Sequence, residues 1–173
     1  MFIRFLFAAL LAMLPVGGAH ATVMSQTFDI TASNFTLLFG SGTPAPIDPV
    51  DLNFTVTFDP SADVNTTSTG LTINYFNLPY TSKFAFDSSF NLLIVATVPD
   101  LTGCGGPPNS YCLFMNDPFG ANPDLYHFSQ STSSQDMWVS QTRTLTTVPE
   151  PATLALLGLG LAGLGFSRRR RTS

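Results

Sequence analysis

Residues 50–58 read Val-Asp-Leu-Asn-Phe-Thr-Val-Thr-Phe, an unbroken alternation of apolar and polar side chains. Successive strand residues point to opposite faces, so Leu52, Phe54, Val56 and Phe58 share one face while Asp51, Asn53, Thr55 and Thr57 share the other. No helix can separate these two sets. The segment therefore constrains the chain to a half-buried antiparallel strand with a wet outer face. Shorter segments of the same kind predict strands over 26–30, 34–39, 70–76, 83–87, 124–128 and 137–145. Residues 91–98, Asn-Leu-Leu-Ile-Val-Ala-Thr-Val, are apolar without alternation, as expected of a strand covered on both faces. Turn-forming clusters at 40–49, 59–60, 87–90, 99–108 and 116–123 separate the strands. No window offers an amphipathic helix of three turns. The expected fold is all-β: an antiparallel β-sandwich of two sheets, jelly-roll or immunoglobulin-like, with its core filled from phenylalanines, of which the chain has sixteen, twelve of them between residues 22 and 148. Each buried Phe contributes about 1.5–3 kcal/mol.

The two ends follow different rules. At the start, Arg4 precedes an apolar stretch over 5–16, then Pro15, Gly17 and Gly18, then Ala19-His20-Ala21. This is the pattern of a secretory signal peptide with a small-x-small cleavage site at Ala19 and Ala21, so residues 1–21 are expected to be removed by signal peptidase. The stretch is too short to span ~30 Å of hydrocarbon at ~1.5 Å per helical residue. At the other end, residues 152–166 carry no charge and form a short hydrophobic segment, expected as a transmembrane helix and weakened by Gly158, Gly160, Gly163 and Gly165. Arg168, Arg169, Arg170 and Arg171 follow, a cluster that the positive-inside rule places in the cytoplasm. Pro149 and Pro151 stand where the helix would begin.

Val148-Pro149-Glu150-Pro151, the Gly/Leu-rich segment and the four arginines together resemble the PEP-CTERM sorting signal. The resemblance implies recognition at the Pro149-Glu150-Pro151 motif by exosortase, a membrane-embedded cysteine-type transpeptidase or protease of Gram-negative bacteria. It further implies an inner-membrane intermediate and delivery to the cell surface or extracellular matrix. The alternative for the tail is a permanent anchor. The resemblance covers residues 148–173 and leaves the body, 22–148, to be read from its own residues.

That body carries ten aspartates against Lys83 and Arg143, a formal charge of −8. Phosphate contacts need clustered Lys or Arg, so nucleic-acid binding is excluded. Cys104 and Cys112 flank a Gly-Gly-Pro-Pro turn, and in an exported chain they are expected to form a disulfide. His127 is the body's single histidine. Alternation sets it opposite Tyr126 and Phe128 on the more polar face, no G-x-S-x-G elbow accompanies it, and zinc catalysis would want two or three histidines. Nothing nominates a pair among the aspartates for glycosidase chemistry. Asp59, Asp63 and Asn65 offer hard oxygen ligands, a weak candidate for calcium that lacks the EF-hand order; no other cofactor is expected. Tyr75, Tyr80, Tyr111, Tyr126 and Trp138 are candidates for stacking on sugar rings, with Trp138 favoured as core.

The expectation is a non-enzymatic exported protein with a structural or adhesive role in exopolysaccharide or biofilm. A carbohydrate-binding module is the first alternative and a secreted hydrolase the second.

Overall fold

The structure is a computed structural model and describes residues 22–42, 44–104, 108–132, 136–148 and 159. The expected leader, Ala19 and Ala21 included, lies outside the described residues, as do Pro149, Glu150, Pro151 and Arg168 to Arg171. Leu159 alone is described within the expected helix; it is helical and exposed. Among the described residues no helix is long and apolar enough to cross a membrane.

Eleven strands succeed one another: β1 (Met24–Phe39), β2 (Val50–Phe58), β3 (Val64–Thr67), β4 (Leu71–Phe76), β5 (Lys83–Asp87), β6 (Leu92–Ala96), β7 (Pro99–Asp100), β8 (Gly103–Cys104), β9 (Ser110–Asn116), β10 (Asp124–Ser131) and β11 (Met137–Val148). The all-β, antiparallel expectation holds. The two separate sheets of a sandwich do not appear: nine strands form one continuous sheet in the order β3-β5-β6-β9-β10-β11-β1-β2-β4. The sheet curls until its two arms face each other. Phe58 on β2 meets Phe84 and Phe86 on β5 with ring centroids 5.5 and 4.7 Å apart, although β6, β9, β10, β11 and β1 lie between them in the sheet order. One face of the sheet thus encloses the core that a sandwich would build from two.

Alternation decides which side chains enter that core. Leu52, Phe54, Val56 and Phe58 of β2 are buried, joined by Phe28, Ile30 and Ala32 of β1, Phe84 and Phe86 of β5, and Leu113 and Met115 of β9. The opposite face is a layer of hydroxyls and amides paired across strands, such as Thr27 Oγ1 with Thr55 Oγ1 at 2.8 Å and Thr31 Oγ1 donating to Asp51 at 2.8 Å. The apolar run of β6 is buried on both faces as expected. Leu93 and Val95 join the core, while Ile94 and Ala96 are covered from outside by the excursion carrying β7, which lies against β5 and β6. The expected disulfide is formed: Cys104 of β8 is joined to Cys112 of β9, with Cα atoms 6.0 Å apart, and ties that excursion to the sheet.

The edge strands β3 and β4 are consecutive in the chain, and the turn at 68–70 carries the backbone across the open seam between them. Gly70 makes the crossing. It sits at φ +88°, its carbonyl accepts from Thr57 N–H at 2.7 Å, and a Cβ there would lie 2.3 Å from Thr57 O. The registers also give the barrel-like sheet two distinct ends. Met24 lies opposite Phe58, Thr27 opposite Val148, and Asn116 opposite both Leu92 and Asp124. The start of β1 and the finish of β11 therefore share one end, and the finishes of β1, β4, β6 and β10 lie at the other, with the starts of β2, β5, β9 and β11.

Candidate functional site

The aromatic candidates part company in three dimensions. Trp138 and Tyr111 are buried, in keeping with the core placement favoured for Trp138. Tyr126 is exposed and stacks on Phe114, with ring centroids 5.7 Å apart and planes 16° apart. Tyr75 is 57% exposed on the edge strand β4, and Tyr80 lies half-buried in the segment that follows it.

Tyr75 and Tyr80 belong to one cleft of about 860 Å³, set in the seam where β4 faces the segment 78–83. Its wall is fixed at several points. Asn77 N–H donates to Asp51 O (3.2 Å), its side-chain carbonyl accepts from Asp51 N–H (3.0 Å), and its amide donates to Pro49 O (3.1 Å). Tyr80 donates its phenol to Ser131 O (3.2 Å), and Tyr111 donates to Ser82 Oγ (2.6 Å) from inside the core. Burial raises the Tyr80 phenol above its ordinary pKa of 10.0 and raises that of Tyr111 further, so both remain donors at any physiological pH. On the opposite wall Asn74 donates its amide to Asn53 Oδ1 (2.8 Å) and Thr55 Oγ1 (3.3 Å), leaving its carbonyl oxygen toward other partners. Lys83, the only lysine of the chain, completes the lining, and among the described residues no carboxylate contributes to it.

Sequence reasoning singles out the two tyrosines of this cleft but not the cleft. It arises because the chain turns at Asn77-Leu78-Pro79 and re-enters the sheet as β5, between β6 and the far edge strand β3, a pairing that local pattern does not encode. The one available signal is the position of the lone lysine beside that turn.

His127 lies on the more polar outer face, opposite Phe128, as expected, but Tyr126 shares that face instead of opposing it. A bulge between Leu125 and His127 breaks the alternation of β10, so Leu125 and Phe128 both face the core while Tyr126 and His127 both contact the outer ring of Phe114. His127 Nε2 lies 3.0 Å from Ser129 Oγ. Burial and the neighbouring Arg143 guanidinium hold the imidazole below its ordinary value of 6.5. This pair lacks the parts of a catalytic triad: Ser129 is 2% exposed, and among the described residues no carboxylate hydrogen-bonds the ring. Arg143 instead donates Nε–H to Leu125 O (3.1 Å) and Nη1 to Ser140 O, filling the fork where β10 and β11 splay apart.

The calcium candidates are occupied locally. Asp59 Oδ1 accepts from the backbone and side chain of Ser61 (3.0 and 2.8 Å), and Asp63 Oδ1 from those of Ser88 (2.9 and 2.6 Å). Asn65 is exposed on the edge strand β3. Among the described residues no three His, Cys, Asp or Glu side chains converge as a metal would require.

The last residue of β11 is Val148, and Pro149-Glu150-Pro151 follows it with no residue between. From Thr147 to Arg171 the chain matches the PEP-CTERM protein-sorting motif. It carries an exosortase sorting signal. The match starts inside β11, at Thr147, which lies opposite Phe28 of β1. No curated protein and no solved structure matches the chain. The PEP-CTERM motif marks an exported protein of a Gram-negative bacterium, processed by exosortase and sorted to the surface.

Proposed function

We propose that the curled sheet is a non-catalytic structural or adhesive component of the cell surface or the extracellular polysaccharide matrix, delivered there by exosortase. The observation that carries this reading is the PEP-CTERM motif joined directly to a compact, acidic β-sheet body. A layer of paired threonines and asparagines on the outer face and a formal body charge of −8 suit a hydrated exterior. On this route signal peptidase removes residues 1–21, the inner membrane holds the chain by residues 152–166, and exosortase acts at Pro149-Glu150-Pro151. The intact mass of the mature protein, recovered from the host surface and medium, tests it. A chain that begins at Thr22 and ends between Pro149 and Pro151 is expected, with any excess mass identifying an attached group. A chain that retains Arg168 to Arg171 makes the tail an anchor and overturns the sorting route.

Carbohydrate binding is the second reading, favoured by the aromatic and amide lining of the cleft between β4 and the segment 78–83.

A further inference from the structure

We propose that the cleft between β4 and the segment 78–83 binds a pyranose chain bearing carboxylates, an acidic polysaccharide. The proposal takes its biological setting from the matrix reading above, while its chemistry rests on the residues of the cleft.

The cleft has the size of a small-molecule site, which runs to roughly 300–1,000 Å³. Its wall is already ordered by Asn77, Tyr80 and Ser82, so a ligand meets a formed surface and little ordering cost opposes its binding. The side chains match the two faces of a sugar. A pyranose ring presents a flat layer of C–H groups, and Tyr75 offers an exposed ring of matching shape from a strand held by β2. Its rim is hydroxyls, and the lining residues Asn74 and Ser68 bring an amide oxygen and a hydroxyl that can pair with them.

Charge selects the kind of sugar. Ten aspartates outnumber two cations in the body, yet none of the ten lines the cleft and one of the two cations does. Among the described residues Lys83 makes no ion pair, so its ammonium is available to a ligand. Fields from exposed charges fade over ~8 Å at physiological ionic strength, so a carboxylate in the cleft feels Lys83, which lines it, most strongly; Asp51, whose backbone bonds Asn77, accepts from Thr31 on the outer face and is not part of the lining. A neutral glycan would leave this one placed cation unused.

The test is calorimetric titration of the full chain in detergent micelles with oligogalacturonate, and with cello-oligosaccharide as a neutral chain of pyranose rings. Variants Tyr75→Ala and Lys83→Gln are compared with Tyr126→Ala, an exposed tyrosine elsewhere on the sheet. Oligogalacturonate is expected to bind, about tenfold more weakly after Tyr75→Ala and several-fold more weakly after Lys83→Gln or in high salt, with Tyr126→Ala unchanged. Equal binding of the neutral chain with no effect of Lys83→Gln overturns the assignment to acidic sugars. Absence of binding, or binding that survives both substitutions, overturns the site. Either failure leaves the matrix reading to its own test, the mass of the mature chain.

Discussion

Val148 lies directly opposite Thr27, and its carbonyl accepts a hydrogen bond from the Gln26 side-chain amide at 3.2 Å. The ladder between β1 and β11 therefore runs to the last residue before the sorting motif. A protease binds its substrate extended and free of other partners, and here the residues just upstream are held in a sheet. On the proposed route, a flexible insert of about six Gly and Ser residues after Val148, spanning ~13 Å, is expected to speed conversion of precursor to mature chain. Pulse-chase labelling in the host measures this. An unchanged or slower rate would mean that the end of the sheet is itself recognised.

Gly70 carries the chain across the seam in a conformation that other residues adopt only with strain, and a methyl group there would collide with Thr57 O. Gly70→Ala is expected to cost about 2 kcal/mol or more, because the strain adds to loss of the bond from Thr57 N–H. Urea unfolding gives the difference, and a change below about 0.5 kcal/mol would refute the tight crossing.

The disulfide closes a short loop, eight residues from Cys104 to Cys112, yet it holds the cover over Ile94 and Ala96. Replacing both cysteines by serine is expected to cost about 2–3 kcal/mol. The loss should be local. Hydrogen exchange should rise most across β6 to β8, while amides of the ladder between β1 and β2 keep the protection that the remaining global stability allows.

Acid should weaken the fold in two stages. The folded pKa of His127 is depressed, so between that value and 6.5 the unfolded chain binds more protons, and stability falls as pH drops through this window. His127→Asn should remove this first stage. The second comes from Asp59, Asp63 and Asp100, whose carboxylates are held below 3.8 by bonds from Ser61, Ser88 and Thr102. Their contribution is complete above that value and is lost as pH falls through the lower folded pKa. Thermal unfolding from pH 8 to pH 2 resolves the two.

Local pattern reveals which way a side chain points more readily than which strand lies beside which. The alternation of β2 and the unbroken apolar run of β6 predict their burial residue by residue. The same alternation is compatible with one sheet or two, because sheet continuity depends on long-range pairing. Residues 26–30 and 34–39 read as two strands and are one: Asn34 takes a positive φ of 56° within β1, and the Asp48 carboxylate accepts from the N–H groups of Asn34 and Phe35. β9 is hard to see in sequence because Ser-Tyr-Cys-Leu-Phe-Met-Asn lies between two Gly/Pro-rich turns and lacks period two, although it occupies the middle of the sheet. β3 is four mostly polar residues held at the edge by tertiary pairing. The sorting motif is legible because an address must be read from the chain itself. The cleft is not, since its two walls meet only through the fold.

The direction of β11 has a mechanical consequence. A tether attached at its finish pulls along the strand, while a load gripped near the cleft at the far end pulls the rest of the sheet the opposite way. Such a force slides β11 lengthwise past β1 and loads their eleven registered pairs, from Thr27↔Val148 to Phe39↔Met137, at the same time. Traction on the two neighbouring termini would instead peel the ladder apart one bond after another. A body held by its tail is thus gripped in the geometry in which a β-ladder yields last.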